Sequence, residues 1–210
     1  MSFGLVKHNN NSISAITSAG QLTQGKMTLI KEQTASSSSS ISFVDGSSSV
    51  VLDSTYPIYL FKFINLHPVN DGTSFQFQAS TDGGGSYGVN KVSSFFESQH
   101  NEGGSSTALQ YNTTFDRGAN STDFITLFSE IGNDADQSGS GTLHLFNLSD
   151  TTFVKNYIAN TSSSSNANFS RNQFINGYFN NTSAINALKF EMRVGNIDSG
   201  TIKLYGIKGS

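Results

Sequence analysis

The chain contains no cysteine, which excludes a disulfide framework, a thiol nucleophile and a thiolate metal site together. Charge is scarce as well. Asp, Glu, Lys and Arg make up 13% of the 210 residues, about half the roughly 25% of ordinary soluble domains. The formal net charge of −3 supplies no long-range field that would capture nucleic acid or an anionic membrane, so neither is expected as a partner. There is no run of 18 apolar residues, and the opening MSFGLVKHNN lacks a basic segment followed by a long apolar one. Neither a membrane span nor a signal peptide is therefore expected. Only two prolines occur, Pro57 and Pro68. They bracket the most apolar run of the chain, where a missing backbone donor does least harm to a strand.

What the chain has instead is Ser, Thr, Asn and Gly at its polar positions and 17 Phe with 7 Tyr among its apolar ones. Many of the rings sit in alternating runs, and burying one is worth roughly 2 kcal/mol. The alternation of Leu188, Phe190, Met192 and Val194 against Lys189, Glu191 and Arg193 has the period of a strand with one wet face. Gly195, Asn196, Asp198 and Gly200 follow as turn signals, then Ile202 to Tyr205 alternate again, so a C-terminal β-hairpin is expected. Ile58 to Leu66, apolar at both parities, predicts a central strand. Further strands are expected around Met27 to Ile30, Ile41 to Phe43, Val50 to Leu52, Phe75 to Ala79, Val92 to Phe96, Ala108 to Tyr111, Phe124 to Phe128, Leu143 to Leu148 and Phe153 to Ile158. Asp45 and Gly46 read as a hairpin turn, and TDGGGS at Thr81 to Ser86 as another. Ser162 to Asn181 fits either a helical turn or two strand fragments. The fold class expected is all-β: an antiparallel, jelly-roll-like β-sandwich over residues 25–210, preceded by an extended N-terminal arm over residues 1–24. The arm carries Phe3, Leu5, Ile13, Ile16 and Leu22 among small polar residues, too few to close a core, and so reads as a segment that docks on a neighbour.

Patterns that carry chemistry are fragmentary. Asp134, Asp136 and Ser138 stand two apart and are followed by Gly139, as in the first half of a calcium loop, but the twelfth position is Leu145 instead of a bidentate Glu. A polar turn is the preferred reading. His8, His67, His100 and His144 show no metal-ligand spacing. No GxSxG elbow is present, and the glycine-rich TDGGGS is followed by neither Lys nor helix, so no phosphate cradle is expected. Asp123, Glu130, Asp134 and Asp136 would have to converge in space to act as paired carboxylates of a glycosidase. Tyr87, Tyr111 and Tyr178 are candidates for stacking on sugars, set against the ordinary role of Tyr at a core or its rim. No catalytic, cofactor-binding or metal-ligating residue is assigned, and no enzymatic activity is expected.

Several long strings, GNIDSGTIKLYGIK (195–208), GNDADQSGSGTLHLFNLSDTTFVK (132–155), DSTYPIYLFKFINLHP (53–68), FQFQASTDGGGSY (75–87) and SISAITSAGQLTQGKMTLIKEQTA (12–35), resemble a group of marine bacteriophage virion proteins. That group ranges over tail-fibre-like and head-decoration proteins. The resemblance implies a structural component of the virion exterior, assembled in the host cytoplasm, with other virion proteins as partners. A homo-oligomer, a trimer by analogy with viral exteriors, is implied with it. Residues 1–24 would be the anchor, with Phe3, Leu5, Ile13, Ile16 and Leu22 as the virion or subunit interface. The alternative it leaves open is a tail-fibre or receptor-binding subunit whose loops contact host glycans. A carbohydrate-binding module and, more remotely, a glycan hydrolase are the readings from other classes.

Overall fold

The computed structural model describes residues 27–208, which form thirteen strands: β1 (Met27–Thr34), β2 (Ile41–Val44), β3 (Ile58–Pro68), β4 (Thr73–Ser80), β5 (Lys91–Asn101), β6 (Thr107–Tyr111), β7 (Arg117–Ser121), β8 (Ile125–Ile131), β9 (Gly139–Phe146), β10 (Lys155–Ser164), β11 (Phe169–Phe179), β12 (Ala187–Met192) and β13 (Ile197–Ile207). No helix occurs among the described residues. The expected arm, with its proposed interface residues Phe3, Leu5, Ile13, Ile16 and Leu22, lies outside the described residues.

Two sheets stack face to face, and every pairing between their strands is antiparallel. The large sheet runs β1-β13-β3-β9-β10-β11-β5-β6, with β7 also on β5, and the small one runs β2-β12-β4-β8. Strands β1, β3, β9 and β13 oppose β2, β4, β8 and β12, the alternation between layers that two Greek keys produce in a jelly roll. The β10–β11 hairpin and β5 to β7 extend the large sheet past that sandwich.

The core is a set of rings offered by alternate residues from both layers. Tyr59, Phe61 and Phe63 of β3 meet Phe75 and Phe77 of β4 and Phe190 of β12, all essentially inaccessible to solvent. Phe190 is the hub. Its ring lies 5.0 Å from Phe61, 5.4 Å from Phe63 and 6.0 to 6.1 Å from Phe43, Phe75 and Phe77, within the range where aromatic pairs gain beyond area burial.

The expected C-terminal hairpin is not formed. Both strands are present, but β12 pairs with β2 and β4 in the small sheet, whereas β13 pairs with β1 and β3 in the large one. The turn residues around Gly195 are the corner between layers, and Leu188 and Phe190 face Ile202 and Leu204 across the core. TDGGGS is likewise a crossing between layers, joining β4 to β5, and not a hairpin. Val50 and Leu52 are buried but form no strand: Gly46 N donates to the Val50 carbonyl and Leu52 N to Asp45 Oδ1, folding the loop onto its own carboxylate. The Ser162 to Asn181 segment resolves as the end of β10, a turn and β11.

β3 is central, between β13 and β9, as its two-sided apolarity predicts. Its parity changes at Asn65, which takes the left-handed φ of 49° inside a register shift between Phe63 and Leu66. The bulge returns Leu66 to the core while Ile64 stays outside. Opposite it, Gly200 (φ 114°) meets the Asn65 carbonyl at a distance no Cβ would allow, 2.6 Å from where one would sit.

Candidate functional site

The loop between β8 and β9 exposes Asp134 and Asp136 and buries Gln137. Gln137 Nε2 donates to the Ser165 carbonyl at 3.0 Å and to Asn168 Oδ1 at 3.1 Å, while its Oε1 accepts from Asp134 N at 3.3 Å. A buried amide thus pins a polar turn, and Leu145 sits fully buried in β9. Among the described residues no three His, Asp or Glu side chains gather as a metal centre would require. His67 neighbours this loop, with Nε2 3.3 Å from the Asp134 carbonyl and Nδ1 3.5 Å from Asp198 Oδ2. His144 is on the outward parity of β9 between buried Leu143 and Leu145, and partial burial holds its pKa below the usual value. His8 lies outside the described residues.

The four carboxylates considered as glycosidase pairs do not converge. Asp123 precedes β8 and Glu130 is near its far end, roughly 23 Å along an extended strand. Glu130 is paired with Arg171 instead. In the TDGGGS loop the Asp82 carboxylate accepts from Ser80 Oγ (2.6 Å), Ser86 N (2.9 Å) and Ser86 Oγ (2.8 Å), which lowers its pKa to about 2. The chain's own carboxylate therefore occupies donors that a phosphate would need.

Of the three tyrosines, Tyr111 is the exposed one, its hydroxyl donating to Asp116 Oδ2 at 2.8 Å. That contact raises its pKa. Tyr87 is half-buried, with Lys189 Nζ 5.3 Å from its ring, and Tyr178 is half-buried on the outward face of β11. They do not form one site. Beside Tyr111, the outward residues Ser98, His100, Leu109 and Asn172 line a groove of about 520 Å³.

Four buried ionic groups, Glu97, Arg171, Lys91 and Lys155, have no counterpart among the sequence expectations. Glu97 on β5 is completely buried; its carboxylate accepts from Ser129 Oγ (3.2 Å), Gln110 Nε2 (3.0 Å), Asn112 Nδ2 (3.4 Å) and Arg171 Nη1 (3.3 Å to the nearer oxygen). Gln173 Nε2 donates to the same Ser129, and Thr161 Oγ1 donates to the Leu127 carbonyl at 2.6 Å, so the polar chain stitches β10, β11 and β5 to β8 of the other layer. Lys91 and Lys155 are also buried, donating to the carbonyls of Asp123 and Thr182. Desolvation lowers both ammonium pKa values, that of Lys91 to about 7. A signal for them lay in parity: Lys91 and Glu97 share one face of β5 with the core ring Phe95, Lys155 shares one face of β10 with buried Tyr157, and Arg171 shares one face of β11 with buried Ile175. Most donors and acceptors of the cluster meet one another, although Arg171 Nε and Ser93 Oγ are buried without a hydrogen-bond partner, and the network ties the two layers together.

The outer surfaces of the layers differ. The small sheet shows Gln76, Lys189 and Glu191, joined by a 3.0 Å ion pair and a 3.2 Å hydrogen bond. The large sheet presents Leu29, Tyr205, Leu60, His144 and Ile158 in one cross-strand row, and Met27, Ile207, Ile58 and Phe146 in the next. Further along it Phe96 and Phe174 stack at 5.0 Å.

Compared with known protein families, curated proteins and solved structures, the chain matches none. No helix of the described residues is long and apolar enough to cross a membrane.

Proposed function

We propose that this chain is a non-enzymatic structural protein of a bacteriophage virion, a surface decoration or spike subunit. In this reading residues 1–24 anchor it to major capsid or tail proteins, the sandwich projects from the particle, and copies associate as a homotrimer. The observation that carries the reading is where exposed apolar surface lies: spread over a broad sheet face, with Leu109 alone of these side chains lining the groove described above, as suits assembly more than catalysis. The scarcity of charge agrees with it, since a particle exterior held by packing depends little on ion pairs that salt would screen. Antibody raised against the chain should decorate purified particles of the encoding phage, and deleting residues 2–24 should leave a folded sandwich that no longer joins them. Unlabelled particles would refute the virion role, and retained incorporation would refute the anchor.

A second reading, a receptor-binding subunit that contacts host glycans, is favoured by exposed Tyr111, which lies two residues along β6 from Leu109 of the Ser98, Leu109 and Asn172 groove. Saturable binding on a glycan array, lost on Tyr111→Ala, would support it; no binding would leave passive decoration.

A further inference from the structure

We infer that the outer face of the nine-stranded sheet is the surface on which a second copy of this chain packs. The inference rests on the reading of the protein as a self-assembling structural subunit and assigns the contact. Among the described residues ten large apolar side chains are exposed. Seven of them share this face: Met27 and Leu29 on β1, Ile64 on β3, Ile158 on β10, Phe96 on β5, and Leu109 and Tyr111 on β6. Half-buried Ile58, Phe146, Tyr205 and Ile207 fill the spaces between the first of these.

Size and charge argue for a copy of the same chain as the occupant. Eight strands in hydrogen-bonded order span about 34 Å, and strands of this length give a face roughly 25 to 30 Å tall. The product, about 900 Å², matches the share each partner contributes to a stable interface. In a trimer whose three copies turn this face toward the common axis, like surfaces meet and must not repel one another. The charged residues in register with outward positions are Glu32, Lys62 and Lys203; Glu32 pairs with Lys203 at 3.0 Å, which leaves Lys62, 5.2 Å from the centre of the Tyr205 ring, as the one uncompensated charge of the three. The edges are poor alternatives. β1 carries a bulge between Leu29 and Lys31 and two charged residues, and β6 is only five residues long, both devices that discourage strand addition. Sheet-on-sheet packing remains, as between the layers of the sandwich itself.

The test measures the mass of the full chain in solution by sedimentation, alongside Leu29→Lys, Ile158→Lys and Leu109→Lys. Phe153→Lys and Val194→Lys serve as controls, because both residues are exposed apolar side chains in connections outside the strands that form this face. Wild type should be oligomeric, each face variant should weaken association about tenfold or more with an unchanged circular dichroism spectrum, and the controls should behave as wild type. A monomeric wild type, or an oligomer that the face variants leave intact, overturns the inference while particle labelling leaves the virion reading standing. Hydrogen-exchange protection of this face in a monomer, lost when residues 1–26 are removed, would assign the face to that segment and also overturn it.

Discussion

Where β3 and β13 oppose β12 and β4 the interior is made of rings; where β11 and β5 run past β8, amides, hydroxyls and buried charge stand among Phe95, Ile175 and Phe179. The difference follows from width. Four strands span about 14 Å and the eight of the large sheet about 34 Å, so the small sheet cannot cover the extension. The inner face of β11 and β5 meets the small sheet at Phe77 of β4 and along its edge strand β8, and beyond that the segment around Phe115 and Arg117. An edge strand has backbone groups to satisfy, and Thr161, Gln173, Ser129 and Glu97 satisfy them and one another. One sheet is therefore anchored by two chemistries: ring packing, which is indifferent to pH and salt, and a buried polar chain, which is specific and sensitive to losing a member.

The ring side breaks most severely at its hub. Phe190→Ala removes a ring that touches five others and should destabilise the domain by about 5 kcal/mol, the upper end for Phe truncation, because rigid neighbouring rings cannot close the cavity. Against a typical stability of about 5 to 15 kcal/mol, much of the folded population is at risk. Urea unfolding followed by circular dichroism would measure it. A loss under about 2 kcal/mol would mean the rings repack and the hub description is wrong.

The polar side should break by a different mechanism. Arg171→Met leaves Glu97 buried without its cation and should cost about 3 kcal/mol. Adding Glu97→Gln in the same chain should recover most of that, since the amide oxygen still accepts from Gln110, its NH2 can donate to Ser129 Oγ, and no buried charge is left. The ring side has no such rescue. If the double variant is as unstable as the single, hydrogen-bond geometry and not charge pairing is what the cluster supplies.

Lys91 gives the polar interior a pH dependence. Its folded pKa of about 7 lies below the 10.5 of a free lysine, so between those values the unfolded chain binds the extra proton and stability rises with pH. Below about pH 7 both states are protonated and the full penalty of the buried ammonium is present. Unfolding midpoints should climb from pH 7 to 10, by on the order of 1 kcal/mol per pH unit at most. Lys91→Met should flatten that climb and match or exceed wild type at pH 7. A wild-type profile that is already flat would mean the Asp123 carbonyl fully compensates the burial.

The ring side of this comparison was legible in the sequence and the polar side was not, for a physical reason. Alternation of Phe61, Phe63, Phe75, Phe77 and Phe190 reports which way a side chain points, so most strands and the sandwich class could be read directly. Alternation does not report which layer a strand joins. β12 and β13 therefore looked like a hairpin, although their pairing partners are β2, β4, β1 and β3. In β11, Arg171 and Gln173 point inward with Ile175 and Phe179, which broke the apolar period and left the segment undecided. β7, reading RGANS, has no apolar period at all and was missed. Glu97 and Lys91 looked like solvent positions because a charged residue on a strand usually is one.

The ion pair on the outside of the small sheet calibrates what burial adds. Lys189 and Glu191 lie 3.0 Å apart with about a quarter of each side chain exposed, 26% and 23%. Lys189 also sits 5.0 Å from the Phe124 ring. Glu191→Gln removes the pair while keeping the contact to Gln76, and should lower stability by under about 1 kcal/mol, an effect that shrinks further in 1 M salt as the Debye length falls to about 3 Å. Arg171→Met, made in a Glu130→Gln background so that the half-exposed second partner of Arg171 is already neutral, should lose nearly the same stability under the same two conditions, because ions cannot approach a carboxylate with no accessible surface. Equal salt sensitivity for the two variants would mean that water reaches Glu97, and the contrast between a dry ring interior and a dry polar one would become a contrast between dry and wet.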